Sequence, residues 1–282
     1  MNSDTRPWAL VTGCSSGIGK ALVSALRAHG WAVIATARRV ETLAELSAGE
    51  DLRILPLDVT DPTSIQGAVE ACRELRLTAL VNNAGYGQMG PLELLKIEEL
   101  RAQFETNVLG LQAVTNAFLP LLRASAKPGE GRIVHVASVL GRLSIPMAGA
   151  YSASKHAVVA LAETLRLEIG PEIAVILVEP GAIKTHFRAT LKQAWGDLPA
   201  RAVGTRFERA ILHYATKREE FAAEHGMSAE ACAIRIARAM AARRPSRRLV
   251  VGADSFWAQV AHRLLPAALF EAVLRRSYGL KE

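Results

Sequence analysis

Tyr151 and Lys155 stand four residues apart, and Ser138 precedes the tyrosine by thirteen. On a helix that spacing places the phenol and the ammonium on one face. A nearby ammonium favours phenolate and lowers a pKa that is otherwise about 10. A tyrosine tuned in this way can give or take a proton near neutrality. Tyr-x-x-x-Lys also describes an ordinary surface pair on a helix. What precedes it in the chain gives the pair its chemical meaning.

Residues 12–19 read Thr-Gly-Cys-Ser-Ser-Gly-Ile-Gly, directly after a short apolar run and before an amphipathic stretch. Gly13, Gly17 and Gly19 let the backbone turn tightly and approach a diphosphate. Ser15, Ser16 and Ile18 fall where helix N-terminal amides favour negative charge. Glycines in a turn can mean only a turn, but strand, turn and helix in succession point to a nucleotide. The second apolar run ends Ala-Thr-Ala-Arg38-Arg39. An acid at this place binds ribose hydroxyls and repels a 2′-phosphate, whereas a guanidinium suits that phosphate. The same arginines could simply end a strand in solvent. The charge pattern predicts NADP(H) rather than NAD(H).

Positioning these groups requires alternating strands and helices. Strands are predicted at Trp8–Thr12, Ala32–Ala37, Arg53–Leu57, Ala79–Asn82, Arg132–Ala137 and Ala174–Glu179, with a seventh at Arg248–Val251. Helices are expected near 18–29, 61–75, 97–123 and 150–169, then near 186–195, 203–224 and 228–243. Asp61-Pro62 reads as an N-cap followed by a first-turn proline, and Pro180-Gly181 ends the sixth strand. Continuous apolar strands with crossover helices imply an α/β fold: a doubly wound, mostly parallel sheet of about seven strands, Rossmann-like, with helices on both faces. Right-handed crossovers bring the strand C-termini to one edge, where ligands bind. With no linker or repeat, residues 1–282 are expected to form one domain. Residues 7–185 form its cofactor and catalytic core, 186–245 a helical substrate-side excursion, and 246–282 the last strand and a helical tail broken by Pro266.

Composition narrows the function classes. Half of the 282 residues are hydrophobic and 22% are charged, enough for a large core. The net charge of +7 is spread along the chain, and its densest stretch, Arg243-Arg244-Pro-Ser-Arg247-Arg248, lacks interleaved aromatics. Nucleic-acid binding is therefore not expected. Cys14, Cys72 and Cys232 are far apart, and the seven histidines lack ligand spacing, so no metal is expected. His135 reads as a packed strand residue. With no secretory leader and no apolar run near about 20 residues, a cytoplasmic location is expected.

Taken together, Thr12-Gly-x-x-x-Gly17-x-Gly19, Asp58-Val59, Asn82-Asn83-Ala84-Gly85, Asn107, Ser138, Tyr151-x-x-x-Lys155 and Pro180-Gly181 with Thr185 resemble the short-chain dehydrogenase/reductase family. The resemblance runs from about residue 7 to 185 and more weakly beyond. It implies that Ser138 binds the substrate oxygen, Tyr151 transfers its proton, and Lys155 binds the nicotinamide ribose and lowers the tyrosine pKa. It implies that Asn107 bends its helix and holds a water linking Lys155 to solvent. Asp58 would bond the adenine amino group, Val59 would line the adenine site, and Asn82, Ala84 and Gly85 would border the adenosine ribose. Ile183 and Thr185 match positions that contact the nicotinamide carboxamide, beside Pro180 and Gly181. Arg38 matches the position that recognises a 2′-phosphate, with Arg39 as a helper.

Several phrases are similar to those of 17β-hydroxysteroid and retinol dehydrogenases, which implies a bulky hydrophobic carbonyl or alcohol substrate. Phe187, Leu191, Trp195, Phe207, Leu212 and Tyr214, with Leu140, Leu143, Ile145 and Met147, are candidates for its pocket, although many would simply pack. The family analogy implies a homodimer or homotetramer through the helices near 107–123 and 150–169. The basic amphipathic tail from His262 to Arg276 is expected to pack over the pocket or on a second subunit, ahead of a membrane surface. Two rivals stand beside this reading. One is a non-catalytic NADP(H) sensor, which would not need the Tyr151–Lys155 pair. The other is a nucleotide-sugar epimerase or dehydratase, whose relatives usually have another glycine spacing.

Overall fold

The computed structural model describes residues 6–46, 49–184 and 193–280. Seven parallel strands form its sheet: β1 (Trp8–Val11), β2 (Ala32–Ala37), β3 (Leu52–Pro56), β4 (Leu77–Asn82), β5 (Gly131–Val136), β6 (Ile173–Pro180) and, after a short β7 (Ile183–Lys184) and β8 (Met227–Ser228) outside it, β9 (Arg248–Val251). The order is β3-β2-β1-β4-β5-β6-β9, and each pairing is parallel. β1, β2, β4 and β5 are buried along their whole length, as apolar runs covered on both faces must be. The order reverses between β1 and β4, which opens a crevice at the strand C-termini.

One face packs on α1 (Gly17–Ala28) and on the helix Ala229–Ala241, numbered α8 below; the other packs on α2 (Pro62–Ala71), α4 (Leu111–Ser125) and α5 (Gly149–Glu168). Leu22, Val23 and Leu26 turn the apolar stripe of α1 inward. Asp61 caps α2 as expected, its carboxylate accepting from Thr63 N–H at 2.9 Å. Arg132, buried at the start of β5, was not anticipated. Its guanidinium donates to the carbonyls of Met240 and Ala242 at the C-terminus of α8 and to Gly129 and Gly131. A cation there also complements the helix dipole.

The long helix expected near 97–123 is three elements: α3 (Ile97–Phe104), a π-helical turn over Glu105–Gly110, and α4. On the substrate side lie α6 (Leu198–Ala202) and α7 (Glu208–His225). In contrast, α8 (Ala229–Ala241), expected as part of the same excursion, packs beside α1 against the sheet because its apolar stripe of Cys232, Ala233, Ile236 and Met240 is buried there. Most of the helix expected near 186–195, with Phe187 and Leu191, lies outside the described residues. The tail forms α9 (Ala253–Leu264) and α10 (Ala267–Ser277), separated at Pro266 as the sequence indicates. No helix among the described residues is long and apolar enough to cross a membrane.

The three cysteines are buried free thiols. Burial pushes their pKa values up to about 12 for Cys14 and Cys232 and about 11 for Cys72.

Phe118 is among the largest fully buried side chains and packs α4 against the sheet. Phe118→Ala is expected to cost about 3–5 kcal/mol by leaving a cavity. Urea unfolding monitored by circular dichroism should show a lower midpoint with an unchanged slope.

Candidate active site

A cleft of about 840 Å³ follows the strand C-termini. Its nucleotide end is built on the turn after β1. Thr12 Oγ1 accepts the N–H groups of Asn83 and Ala84 at 2.9 Å, and Asn83 Nδ2 donates to the carbonyls of Thr12 and Gly13 at 2.9 and 3.0 Å. These bonds fix the glycine turn against the end of β4. Gly13, Ser15, Ser16, Gly17 and Ile18 line the cleft. Gly19 does not: a Cβ there would lie 2.1 Å from the Gly13 carbonyl oxygen, so this glycine permits close packing of helix on turn.

Arg38 lines the cleft beyond β2, exposed, and among the described residues no carboxylate pairs with it. Asp58, Val59, Ala84 and Gly85 line the same end. Two further expected residues do not line it. Arg39 is exposed outside the cleft, and its carbonyl accepts from Thr42 Oγ1 at the head of a 3-10 turn. Asn82 is buried, its amide donating to Thr115 Oγ1 at 2.9 Å and lying 3.2 Å from His135 Nδ1. Strand alternation explains the second case: at the end of β4 the side chain of Asn82 turns into the sheet's helical layer, and Asn83 turns to the cleft. Burial, then Lys155 and Arg166, hold the His135 pKa down to about 3, so it is neutral.

Ser138, Tyr151 and Lys155 converge at the cleft's centre. Ser138 follows β5, and its Oγ accepts from Leu140 N–H at 3.2 Å. Tyr151 sits in the first turn of α5, with Lys155 one turn on and its Nζ 5.8 Å from the phenol ring centroid. The Lys155 ammonium donates to the Val136 carbonyl at 2.8 Å, and burial lowers its pKa to about 8. Asn107 lies behind them in the π-helical turn, a local widening that interrupts the regular hydrogen-bond ladder. Its Nδ2 donates to the Tyr86 carbonyl and to Ser154 Oγ, and Ser154 Oγ donates to the Tyr151 carbonyl. Asn107 therefore braces both the post-β4 loop and the helix that carries the tyrosine.

Pro180, Gly181, Ala182 and Ile183 close the third side. Thr185 lies outside the described residues. Asp254, after β9, holds this loop: its Oδ2 accepts from Ala182 N–H at 2.6 Å. Any side chain on Gly181 or Gly252 would strike that carboxylate. Ser255 donates to the Glu179 carbonyl, and the buried Glu179 carboxylate is clamped by Arg142 and Arg248 at 2.7 and 2.5 Å. The turn after Ser138 and the end of β6 thus share one ion pair network. None of this was legible in the sequence, because the partners are 37 to 76 residues apart.

The outer wall is apolar, with Met89, Leu140, Leu143, Ile145, Phe221 and Ala258. Trp195, Phe207, Tyr214 and Met147, expected to line a pocket, pack instead in the cluster beneath it, and the Leu212 side chain is outside the described residues. Tyr86, Gln193, Phe221, Ala258 and Tyr278 line the cleft without having been anticipated. Tyr86 comes from a loop, Gln193 and Phe221 from helical turns on the substrate side, and Ala258 and Tyr278 from the tail, and no local pattern marks any of them as pocket lining.

Residues 7–195 match the family model for short chain dehydrogenases. The chain belongs to the short-chain dehydrogenase/reductase family. It is 32% identical over 270 residues to an uncharacterised oxidoreductase, YbbO, of Escherichia coli K12, covering 94% of this chain and 93% of the relative. It is 34% identical over 276 residues to an NADPH-dependent 3-dehydrocapnine reductase of Ornithobacterium rhinotracheale (94% and 95% covered). It is 40% identical over 182 residues to a 3-ketodihydrosphingosine reductase of Bacteroides thetaiotaomicron (63% and 64%). Among solved structures, a Streptomyces avermitilis short-chain dehydrogenase superposes with a TM-score of 0.75 at 31% identity, covering 98% of this chain and all of that one. A Burkholderia cenocepacia dehydrogenase solved with NADP gives 0.72 at 25% (97% and 99%), and a Burkholderia phymatum family member solved with NAD gives 0.77 at 26% (97% and 97%).

As a short-chain dehydrogenase/reductase, the protein is an oxidoreductase served by a nicotinamide cofactor. The cleft suits that group, since the close-packed glycine turn stands at one end and the buried lysine with the tyrosine lines the same cleft at its centre.

Two predictions follow from this geometry. Asp254→Ala releases the Ala182 amide and weakens nicotinamide cofactor binding by about tenfold, the scale of one charge-assisted hydrogen bond; titration by cofactor fluorescence quenching reads it. Lys155 carries a pKa of about 8 when folded, below the 10.5 of a free lysine. Below pH 8 its buried charge destabilises the fold in full. From about pH 8 to 10.5 the unfolded chain binds the extra proton, so stability of the cofactor-free protein rises, by on the order of 3 kcal/mol. Urea unfolding across that window should show the rise in the wild type and its loss in Lys155→Met.

Proposed function

We propose that this enzyme is an NADP(H)-dependent reductase of a hydrophobic, lipid-like ketone or aldehyde, with Tyr151 as the proton-transferring residue. The observation that carries the reading is the meeting of Ser138, Tyr151 and Lys155 in a cleft whose outer wall is apolar. A nicotinamide cofactor supplies the hydride when bound. Arg38 would hold its 2′-phosphate, Asp58 and Val59 its adenine, Ala84 and Gly85 its adenosine ribose, and Lys155 its other ribose. Ile183 and Thr185 would meet the carboxamide.

Ser138 would hold the substrate oxygen while the Tyr151 hydroxyl gives its proton to it, and oxidation reverses the transfer. Lys155, mostly charged at neutral pH, stabilises the phenolate that remains. Asn107 braces the helix on which this exchange takes place. The lipid-like substrate is supported by the apolar wall, and by the names of two relatives, the 3-ketodihydrosphingosine and 3-dehydrocapnine reductases. NADP(H) is supported by Arg38, which lines the cleft with no carboxylate partner among the described residues, and by the NADPH dependence of the second of these. One structural neighbour, at 26% identity, was solved with NAD.

Turnover with NADPH and NADH over steroid, retinoid, long-chain and aryl carbonyls tests the reading. Tyr151→Phe should lower kcat by on the order of 10²–10⁴ with cofactor affinity kept. Arg38→Asp should cost about tenfold or more in affinity for NADPH and leave NADH little changed. Cofactor binding with no turnover of any carbonyl would favour a sensor, and failure to bind either nucleotide would overturn the reading.

A further inference from the structure

The tail hairpin is left uncovered. No residue of α10 is buried, and α9 buries only Ser255. Phe256, Trp257 and Leu264 recur at helical spacing on α9, and Leu269 and Val273 do so on α10, all well exposed. Trp257 is 65% exposed and Leu264 74%. Around these apolar rows stand exposed His262, Arg263, Arg275 and Arg276, with Glu271 as the acid among them. Large apolar side chains exposed together on neighbouring helical turns mark an interaction site.

The composition selects the partner. Trp, Phe and Leu on one side with arginines beside them are the elements of a helix that lies in a bilayer interface. A positive rim complements anionic headgroups, whereas in contact with a second copy of the same hairpin it would meet its own charge. The hairpin also adjoins the cleft: Ala258 of α9 and Tyr278, just after α10, both line it. We propose that α9 and α10 rest on an anionic lipid surface and set the cleft mouth against it. The delivery of substrate from that surface rests on the lipid-like reading above, while the binding itself does not.

The four tryptophans make this measurable. Trp8, Trp31 and Trp195 are buried, so a change of emission on docking reports Trp257. The full chain is mixed with phosphatidylglycerol or phosphatidylcholine vesicles and followed by co-sedimentation and emission wavelength. Binding to the anionic vesicles with a blue shift is expected, weakened by salt and absent with phosphatidylcholine. Arg275→Ala with Arg276→Ala should lower vesicle affinity by about thirtyfold, each arginine near such a surface counting for about a factor of five. Trp257→Glu should abolish binding and leave turnover of a water-soluble carbonyl unchanged. Equal binding to both lipids, or none to either, overturns the proposal. So does a concentration-dependent dimer without lipid that Trp257→Glu dissociates, which would assign the face to a second copy. Turnover without vesicle binding sinks this inference alone; vesicle binding without turnover of any carbonyl sinks the assigned activity and the delivery role.

Discussion

Parallel strand pairing is the constraint on which the rest depends. Seven strands that run the same way end on the same edge. The glycine turn, Arg38, Asp58, Ala84, Ser138, Gly181 and Asp254 each follow a different strand and meet there although they span most of the chain. Each strand must return through a crossover on one face or the other. The two helical layers are therefore a consequence of the pairing, and α5 brings Tyr151 and Lys155 to the edge as part of one such return. Chemistry is collected at the edge because the backbone allows no other common meeting point.

The edge is held by polar bonds made across elements. Thr12 and Asn83 tie β1 to the loop after β4, Asn107 ties that loop to α5, and Asp254 ties the loop after β6 to α9. All but the Asn107–Ser154 bond satisfy a backbone group that an irregular loop leaves unpaired. The cleft can therefore be lined by loops without being loose. Glu179 does the same with charge, since a fully buried carboxylate is tolerable only with partners such as Arg142 and Arg248.

Features set by local pattern were legible in the sequence. The apolar runs gave all seven strands of the sheet, Asp61-Pro62 gave a helix start, and Pro266 gave the break in the tail. Ser138, Tyr151 and Lys155 were readable because their types and spacing carry the chemistry. What depends on orientation or on distant partners was not. Nothing local says that Asn82 turns inward and Asn83 to the cleft, or that Arg38 reaches it and Arg39 does not. Trp195, Phe207 and Tyr214 looked like pocket lining because an apolar side chain in a helical excursion has the same signature whether it packs or lines. Asp254 follows an edge strand and gives no sign in sequence of the amide it holds.

The buried cysteines have a practical consequence. Only the thiolate attacks electrophiles or disulfides. A thiol held at about 12 is ionised in roughly one molecule in 10⁵ at neutral pH. Cys14 sits inside the nucleotide turn with its side chain packed in the core beneath it, and that burial keeps oxidants from it. Alkylating reagents are equally shut out of Cys72 and Cys232 while the sheet is closed. Thiol labelling therefore counts opened molecules, and adding cofactor to the labelling mixture would measure how firmly it keeps them shut.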